Sequence, residues 1–414
     1  MKIGYRDVWK IKAYRWNLIS TMIGRLGDSI DMIGFSWMMY GLTNSTLYTA
    51  VVFGINMLPT IFLQPFAGAM IERLSKKKII VFCDGARSIL TALILVLYMK
   101  EMLNPVFLLF VTFLNNFFEA FRMPAGTCFL ADTLPKELYE QGVSFSQSSS
   151  RACELIGTGL AGFIITIAGI KGTLLCDMIA FFLCAIIISG IHLKESNVAD
   201  KQSLKQHLKS TMIQLQEGFH YMKEKRVLLI IALIAALLNS GLVPLNSFEA
   251  AYIQGILYGS ASLLSALSVS ISCGAILGAF AYPYIHKKFS NKWILLTTGI
   301  FLGGYNIILV GLANIENMFW VCVGLIGSSF LLGITTGCGS VLAYSSFMIH
   351  VEKEYIARAS AILSSIACLF MPVLSFIVGG ISKVTGILPI FFAFGIILIL
   401  LFVCMFYIKE MDDI

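Results

Sequence analysis

Charge is what this sequence has little of. Only 13% of its 414 residues are Asp, Glu, Lys or Arg, against 58% hydrophobic residues and a mean hydropathy of +0.85. A soluble domain is nearer a quarter charged, so the composition excludes one and indicates an integral membrane protein. Paired cysteines are missing too. The ten cysteines are scattered, mostly through apolar segments, with no C-x-x-C pair. That excludes a zinc ribbon or a disulfide framework and leaves them as small buried hydrophobes. The five histidines are dispersed and form no H-E-x-x-H, and G-x-S-x-G is absent, which removes the common metalloprotease and serine-hydrolase readings. There is no G-x-x-x-x-G-K-[ST] phosphate loop, no TVGYG filter and no paired aspartyl-protease motif. ATP hydrolysis by that loop and potassium-type conduction are thereby excluded. No enzyme activity, cofactor or metal site is expected. The first apolar stretch is long and lacks a small-residue cleavage site, so it is expected to stay as a span and not to be removed as a signal.

What is present is a series of apolar segments. Twelve can be placed, at about 16–41, 46–71, 78–100, 105–128, 142–168, 172–193, 226–248, 258–284, 291–313, 317–343, 357–382 and 386–408. Each is long enough to cross a ~30 Å hydrocarbon core as a helix, and a helix is required because backbone groups in lipid must pair internally. The expected fold class is therefore an all-α membrane protein. The formal net charge of +7 is read as the positive-inside rule, not as nucleic-acid binding. Lys and Arg crowd the segment before span one and the loops after spans two, six and eight. The opposite loops hold only Lys100, Lys171 and Lys383. This bias puts both termini and the long central loop in the cytoplasm. The expected setting is a bilayer, with multiple passes through a bacterial cytoplasmic membrane.

That central loop, residues 194–225, divides the chain into an N-terminal six-helix bundle, 1–193, and a C-terminal one, 226–414. Its stretch "LKQHLKSTMIQLQEGFHYM" is amphipathic and is expected to lie as a helix on the membrane surface. The halves carry a faint repeat. "GAMIERLSKKK" follows span two and "GAFAYPYIHKK" follows span eight, at matching points of the topology. Parallel six-helix repeats are a feature of one transporter architecture.

These residues carry a resemblance. "GAMIERLSKKK" resembles motif A of the major facilitator superfamily, G-x-x-x-D-R-x-G-R-K, with Gly68, Glu72, Arg73, Lys76 and Lys77 filling the pattern. Glu replaces Asp, and Ser75 replaces the second Gly. "LGDS", "CDGARS", "LADTLPKELYEQGVSFSQSS", "LLCDMIAFFLCAIII" and "EYIARASAI" are similar, in order, to the macrolide-efflux branch of that superfamily. In span five, "LIGTGLAG" has Thr158 where drug antiporters often carry the proline of motif C. The resemblance implies two pseudo-symmetric six-helix bundles, a monomer, and secondary transport of a small molecule. It also implies a cytoplasmic gate in which Glu72 faces the start of span eleven at Arg358, while Arg73 and Lys76 reach Asp132.

A charge at mid-bilayer costs ~2.5–3.5 kcal/mol by insertion scales. Yet Arg25, Asp28, Asp31, Asp84, Arg87, Glu119, Arg122, Arg151, Glu154 and Asp177 fall within apolar segments. Arg25–Asp28, Asp84–Arg87, Glu119–Arg122 and Arg151–Glu154 are i,i+3 pairs that share a helix face and can neutralise one another. Asp84–Arg87 reads as a pair near the cytoplasmic end of span three that braces motif A. Span one has a surplus acid, Asp31, on the stripe of Arg25 and Asp28. Asp28 lies ~18 Å from the cytoplasmic end at 1.5 Å per residue, near the midplane where such transporters bind substrate. Two carboxylates so placed repel when both are ionised and are candidates to take and release a proton. Arg122 stands four residues before Gly126, the spacing of the superfamily's motif B, and so is implied in proton transfer. Glu119, Glu154 and Glu249 complete the candidate set. Spans eight to twelve are nearly free of charge and rich in Gly, Ser, Phe and Met.

The function these features imply is proton-coupled export of an amphiphilic or hydrophobic small molecule. The nearer alternatives are a lysophospholipid flippase and a siderophore or peptide exporter. The alternative from another class is a non-transporting membrane receptor or assembly partner. The implied gate makes one prediction. Glu72→Ala should lower transport while leaving the expressed amount unchanged, as read by transport assay beside quantitative blotting. Wild-type transport in that variant would remove Glu72 from the gate.

Overall fold

The structure, a computed structural model, describes residues 5–71, 74–193, 204–352 and 355–407. Every regular element among the described residues is helical. A short α1 (Tyr5–Trp9) leads into α2 (Lys12–Thr43), α3 (Thr46–Ile71), α4 (Lys76–Met99), α5 (Pro105–Asp132) and α6 (Tyr139–Ser189). Then follow α7 (Leu204–Glu224), α8 (Arg226–Gly241), α9 (Val243–Ala251), a π-helical turn (Tyr252–Ile256) and α10 (Ala261–His286). The chain ends in α11 (Asn291–Leu312), α12 (Met318–His350), α13 (Ile356–Thr385) and α14 (Leu388–Phe406).

Local chemistry accounts for the boundaries. The Ser75 hydroxyl accepts from the Lys78 amide at the start of α4. Asn104 and Asn317 likewise cap α5 and α12 with their side-chain oxygens. Such caps satisfy amides that the first helical turn leaves unpaired. The 51-residue α6 is two crossings, because Gly169 sits at φ +66 and breaks the helical path, a conformation open to glycine. The break falls where the sequence separates spans five and six.

Ten helical segments are long and apolar enough to cross a membrane. The broken α6 supplies one more crossing. The 32-residue α2 supplies another, since its length suffices, its charged and polar residues lowering its hydropathy. Twelve crossings result among the described residues. Span seven is longer than the sequence suggests. Pro244 interrupts it after Gly241, and the helix resumes as α9 and continues through the π turn. Proline lacks the amide needed to continue a helix unbroken.

The described residues fall into two compact units, Met1–Met39 with Ile55–Thr211, and Tyr40–Gly54 with Met212–Ile414. In the first, α4 packs on α5 and α6, and Ala67, Ile80, Ala125, Phe129 and Ile188 form a core at one end. In the second, residues 40–54 are tied to α13. The Ser375 hydroxyl donates to the Ala50 carbonyl at 2.5 Å, and Thr46 Oγ1 meets Ser382 Oγ at 2.7 Å.

The end of α7 is also held by the second unit. Tyr221 stacks on Tyr355 at 4.2 Å between centroids, its hydroxyl accepts from the Glu352 amide, and Lys225 Nζ donates to Glu352 Oε1 at 2.6 Å. That carboxylate holds the Lys225 ammonium above the usual lysine range. The amphipathic helix expected in the central loop is therefore present, with its last turn seated on protein. Residues 194–203 of the loop lie outside the described residues.

Helices α10 and α12 approach one another backbone to backbone. Each carries a G-x-x-x-G pair, Gly274 with Gly278 and Gly333 with Gly337. A Cβ at Gly278 would run into the Ile334 carbonyl, and one at Gly333 into the Ile271 carbonyl. Lipid gives no hydrophobic drive between helices, so packing of this kind has to hold them. Gly278→Ala and Gly333→Ala should each destabilise the protein by about 1–3 kcal/mol. Gly304→Ala, whose added carbon meets nothing within 4 Å, should stay within about 0.5 kcal/mol of wild type. Thermal unfolding in detergent compares the three.

Candidate functional site

The candidate site is built by the middles of α2, α4 and α5. Asp28, Arg87 and Glu119 each fall near the midpoint of their helix, which is also where a charge is most costly in lipid. Their side chains meet. Arg87 Nη2 donates to Asp28 Oδ1 at 2.7 Å, and Arg87 Nη1 donates to Glu119 Oε2 at 2.6 Å. The Arg87 guanidinium also lies 3.8 Å from the centroid of the Phe181 ring, a cation–π contact in a dry setting. Beside it, Arg122 Nε donates to Asp84 Oδ1 at 2.6 Å. Arg87 and Asp84 are both buried, at 4% and 0% exposure.

This arrangement corrects the intrahelical pairing expected from sequence spacing. Asp84 and Arg87 do not neutralise one another, nor do Glu119 and Arg122. Each arginine reaches across to another helix. Nor is Asp84–Arg87 a pair at the cytoplasmic end: α4 begins at Lys76, which puts Arg87 at mid-helix. The physical reason is the planar fork of the guanidinium, which can bond two carboxylates on two helices at once. Arg25 and Asp28, three residues apart on α2, stay at a closest N–O distance of 3.7 Å, whereas the exposed pair Arg151 and Glu154 closes to 2.9 Å. Arg25 instead turns its Nη2 to Met123 Sδ at 2.8 Å.

A cavity of about 420 Å³ opens beside the network, entirely within the first unit. Arg25, Asp28, Met32, Arg122, Met123 and Glu154 are among its lining residues. Glu154 pairs with Arg151 at 2.9 Å and is about half exposed. Thr158 also lines the cavity and bonds back to the Glu154 carbonyl. Glu249 is not part of this cluster. It belongs to the second unit, where Ser268 donates to it at 3.0 Å. Asp31 takes no arginine, and its Oδ1 is buried with no hydrogen-bond partner among the described residues.

Of the gate residues, Lys76 Nζ meets Asp132 Oδ2 at 2.6 Å, and Lys77 Nζ donates to the Ile191 carbonyl at 2.7 Å. Glu72, Arg73 and the side chain of Arg358 lie outside the described residues, and Gly68 is described only as part of α3. Sequence reasoning left Asp84 and Arg87 out of the candidate set and gave Asp177 no role. Measuring their positions from helix midpoints, and not from segment ends, would have flagged Arg87. Among the described residues no group of three or more His, Cys, Asp or Glu is arranged to hold a metal ion.

Twelve crossings with a buried charge network beside a cavity define a membrane transporter fold, and the comparisons agree. The profile of the Major Facilitator Superfamily matches residues 18–327. The chain belongs to that superfamily of transporters. It is 22% identical to macrolide efflux protein A of Streptococcus pyogenes over 376 residues, covering 88% of each chain. It is 23% identical to the staphyloferrin A transporter of Staphylococcus aureus, covering 87% of this chain and 90% of the relative. It is 20% identical to the multidrug efflux pump Tap of Mycolicibacterium fortuitum, covering 96% of both. Among solved structures, the nucleoside transporter NupG aligns with a TM-score of 0.71 at 16% identity, covering 96% of this chain and 100% of that one. That likeness concerns the fold alone.

The network predicts an uneven response to substitution. Arg87→Met strands two carboxylates and should cost about 3–5 kcal/mol. Arg25→Met removes a long, partly exposed contact and should cost about 0–1 kcal/mol. Unfolding of purified protein in detergent distinguishes them, and equal losses would contradict the bridging role of Arg87.

Proposed function

We propose that this chain exports an amphiphilic small molecule by alternating access, driven by the proton gradient across a bacterial cytoplasmic membrane, with both termini in the cytoplasm. The observation that carries the reading is the mid-helix network of Asp28, Arg87 and Glu119 beside a cavity lined by both charged groups and methionines. Acids at that depth can exchange protons with the cavity. Met32 and Met123 supply soft, adaptable contacts for apolar surface. Relatives named for macrolide and multidrug efflux support the substrate class. In this reading Asp28 and Asp31 respond to protons, Arg122 and Glu119 relay the change, and Lys76 with Asp132 belongs to the cytoplasmic gate. Glu249 is a second acid, available to a cationic substrate.

A second reading has its own observation. Arg25, Arg122 and Arg151 all line the cavity, and such a wall suits a carboxylate-bearing solute such as a siderophore. A relative is named as a transporter of staphyloferrin A. Proteoliposomes decide between the two. With a macrolide as probe, substrate-dependent proton movement should appear in the wild type and vanish in Asp28→Asn and Asp31→Asn. Flux of staphyloferrin A with none of the macrolide would favour the second reading. Macrolide flux indifferent to the pH gradient would remove proton coupling.

A further inference from the structure

We propose that Asp31 and Asp177 form a second, arginine-free carboxylate site, supported by Thr91, that holds one proton between the two side chains. The inference rests on the proton-coupled reading and deepens it by giving Asp31 a partner, Asp177, to which that reading gives no role.

The geometry comes from the packing of α2 on the second half of α6. Their facing stripes run antiparallel. A Cβ at Gly24 would lie 3.5 Å from Cys184 Sγ, one at Gly27 would lie 3.2 Å from Asp177 Oδ1, and one at Gly34 would lie 3.2 Å from Thr173 Oγ1. Asp31 stands one turn beyond Gly27 and one turn before Gly34, so it falls on this same stripe. It therefore faces the α6 surface that presents Asp177. Glycine at position 27 lets the Asp177 carboxylate approach the α2 backbone.

Asp177 is 1% exposed. Thr91 of α4 donates to its Oδ2 at 3.0 Å. Its Oδ1, turned toward α2, is buried with no hydrogen-bond partner among the described residues, as is Asp31 Oδ1. The charged groups acting on Asp31 are Asp177, Asp28 of α2 and Arg87 of α4, and those acting on Asp177 are Arg87 and Asp28. The Arg87 fork is already committed to Asp28 and Glu119. Arg122 is committed to Asp84, and Arg25 lies beside Asp28. The guanidiniums of Arg25, Arg87 and Arg122 thus balance Asp28, Asp84 and Glu119, and Asp31 and Asp177 remain as surplus. Two carboxylates held in the protein interior, neither bonded to an arginine, cannot both stay ionised. One proton taken up from the aqueous phase when the site opens to it halves their charge and removes their mutual repulsion. The proton leaves by the same route when the site opens, so nothing else is consumed.

Infrared difference spectroscopy on the full chain in liposomes reads this site without a transported substrate, the proton being the probe. A pH step in potassium buffer should show a protonated-carboxyl band. Asp31→Asn and Asp177→Asn should each abolish that same band, and the double variant should remove nothing more. Thr91→Val, which leaves both acids in place, should shift the frequency of the band, and it serves should either Asn variant fail to fold. A band unchanged in both single variants, or two bands lost one at a time, would overturn the shared proton. Loss of the band when sodium replaces potassium at constant pH would overturn the proton as occupant. Transport indifferent to a proton gradient, with the band intact, would instead count against the coupling reading and leave the site standing.

Discussion

The first unit depends on one buried cation. Arg87 sits at the middle of α4, nearly without exposure, and bonds Asp28 of α2 and Glu119 of α5 with separate nitrogens. Removing an ion from water costs several kcal/mol even after relaxation, and only close, well-directed partners repay it. The surroundings are shaped to allow such partners. Gly24 leaves room for the Arg122 guanidinium, since a Cβ there would lie 3.0 Å from its Nη2. Gly27 does the same for Asp177, and Phe181 offers its ring face to Arg87. The sequence pattern G-R-L-G-D-S-I-D in α2 is thus a packing surface with gaps cut for charges on other helices.

The second unit solves the same problem of helix association with almost no charge. Its α10 and α12 touch backbone to backbone through paired glycines. Its buried polar contacts are neutral, as between Tyr305 and Ser329, Tyr252 and the Leu309 carbonyl, and Ser247 and Ser375. Glu249 stands apart as a partly buried acid that accepts a hydrogen bond from Ser268. Apart from Glu249, these contacts carry no charge. In the charge network of the first unit, by contrast, each member's partner is itself titratable or bound to a titratable group. The two halves of one repeat have therefore diverged in what holds them together.

Most of the fold was legible in the sequence because lipid imposes length and hydropathy on every crossing. The twelve segments, with spans five and six separated near residue 170, could be read from apolar length, and the helix in the central loop from its amphipathic pattern. The interior of the site was read less well. Spacing alone favours partners three residues apart, so Asp84–Arg87 looked self-contained. What spacing does not contain is which face of α4 meets α2 and α5. Spacing therefore places Arg87 at the periphery, although it bonds both Asp28 and Glu119. Asp177 was visible as an intramembrane charge, but its meeting with the α2 stripe needs the antiparallel register of two helices more than 140 residues apart in sequence. Span seven was misjudged at its outer end because a π turn has no clear sequence signal.

The bridging arginine also explains why a small event at the cavity need not stay local. Asp28 touches the cavity and Arg87 at once. A proton or cationic group arriving at Asp28 would release one arm of the Arg87 fork, leaving that guanidinium to Glu119 alone. Arg25 would lose its nearest carboxylate in the same step and be left to the Met123 sulfur beside Pro124. α2, α4 and α5 would then have fewer charge-assisted bonds between them, so their relative positions become less costly to change. A ligand shifts a conformational equilibrium only by its difference in affinity for the two states. In the proposed reading, a single cation whose bonds are divided between helices would carry that difference. A set of isolated i,i+3 pairs would lack this property, since each could gain or lose its charge without any other helix registering it.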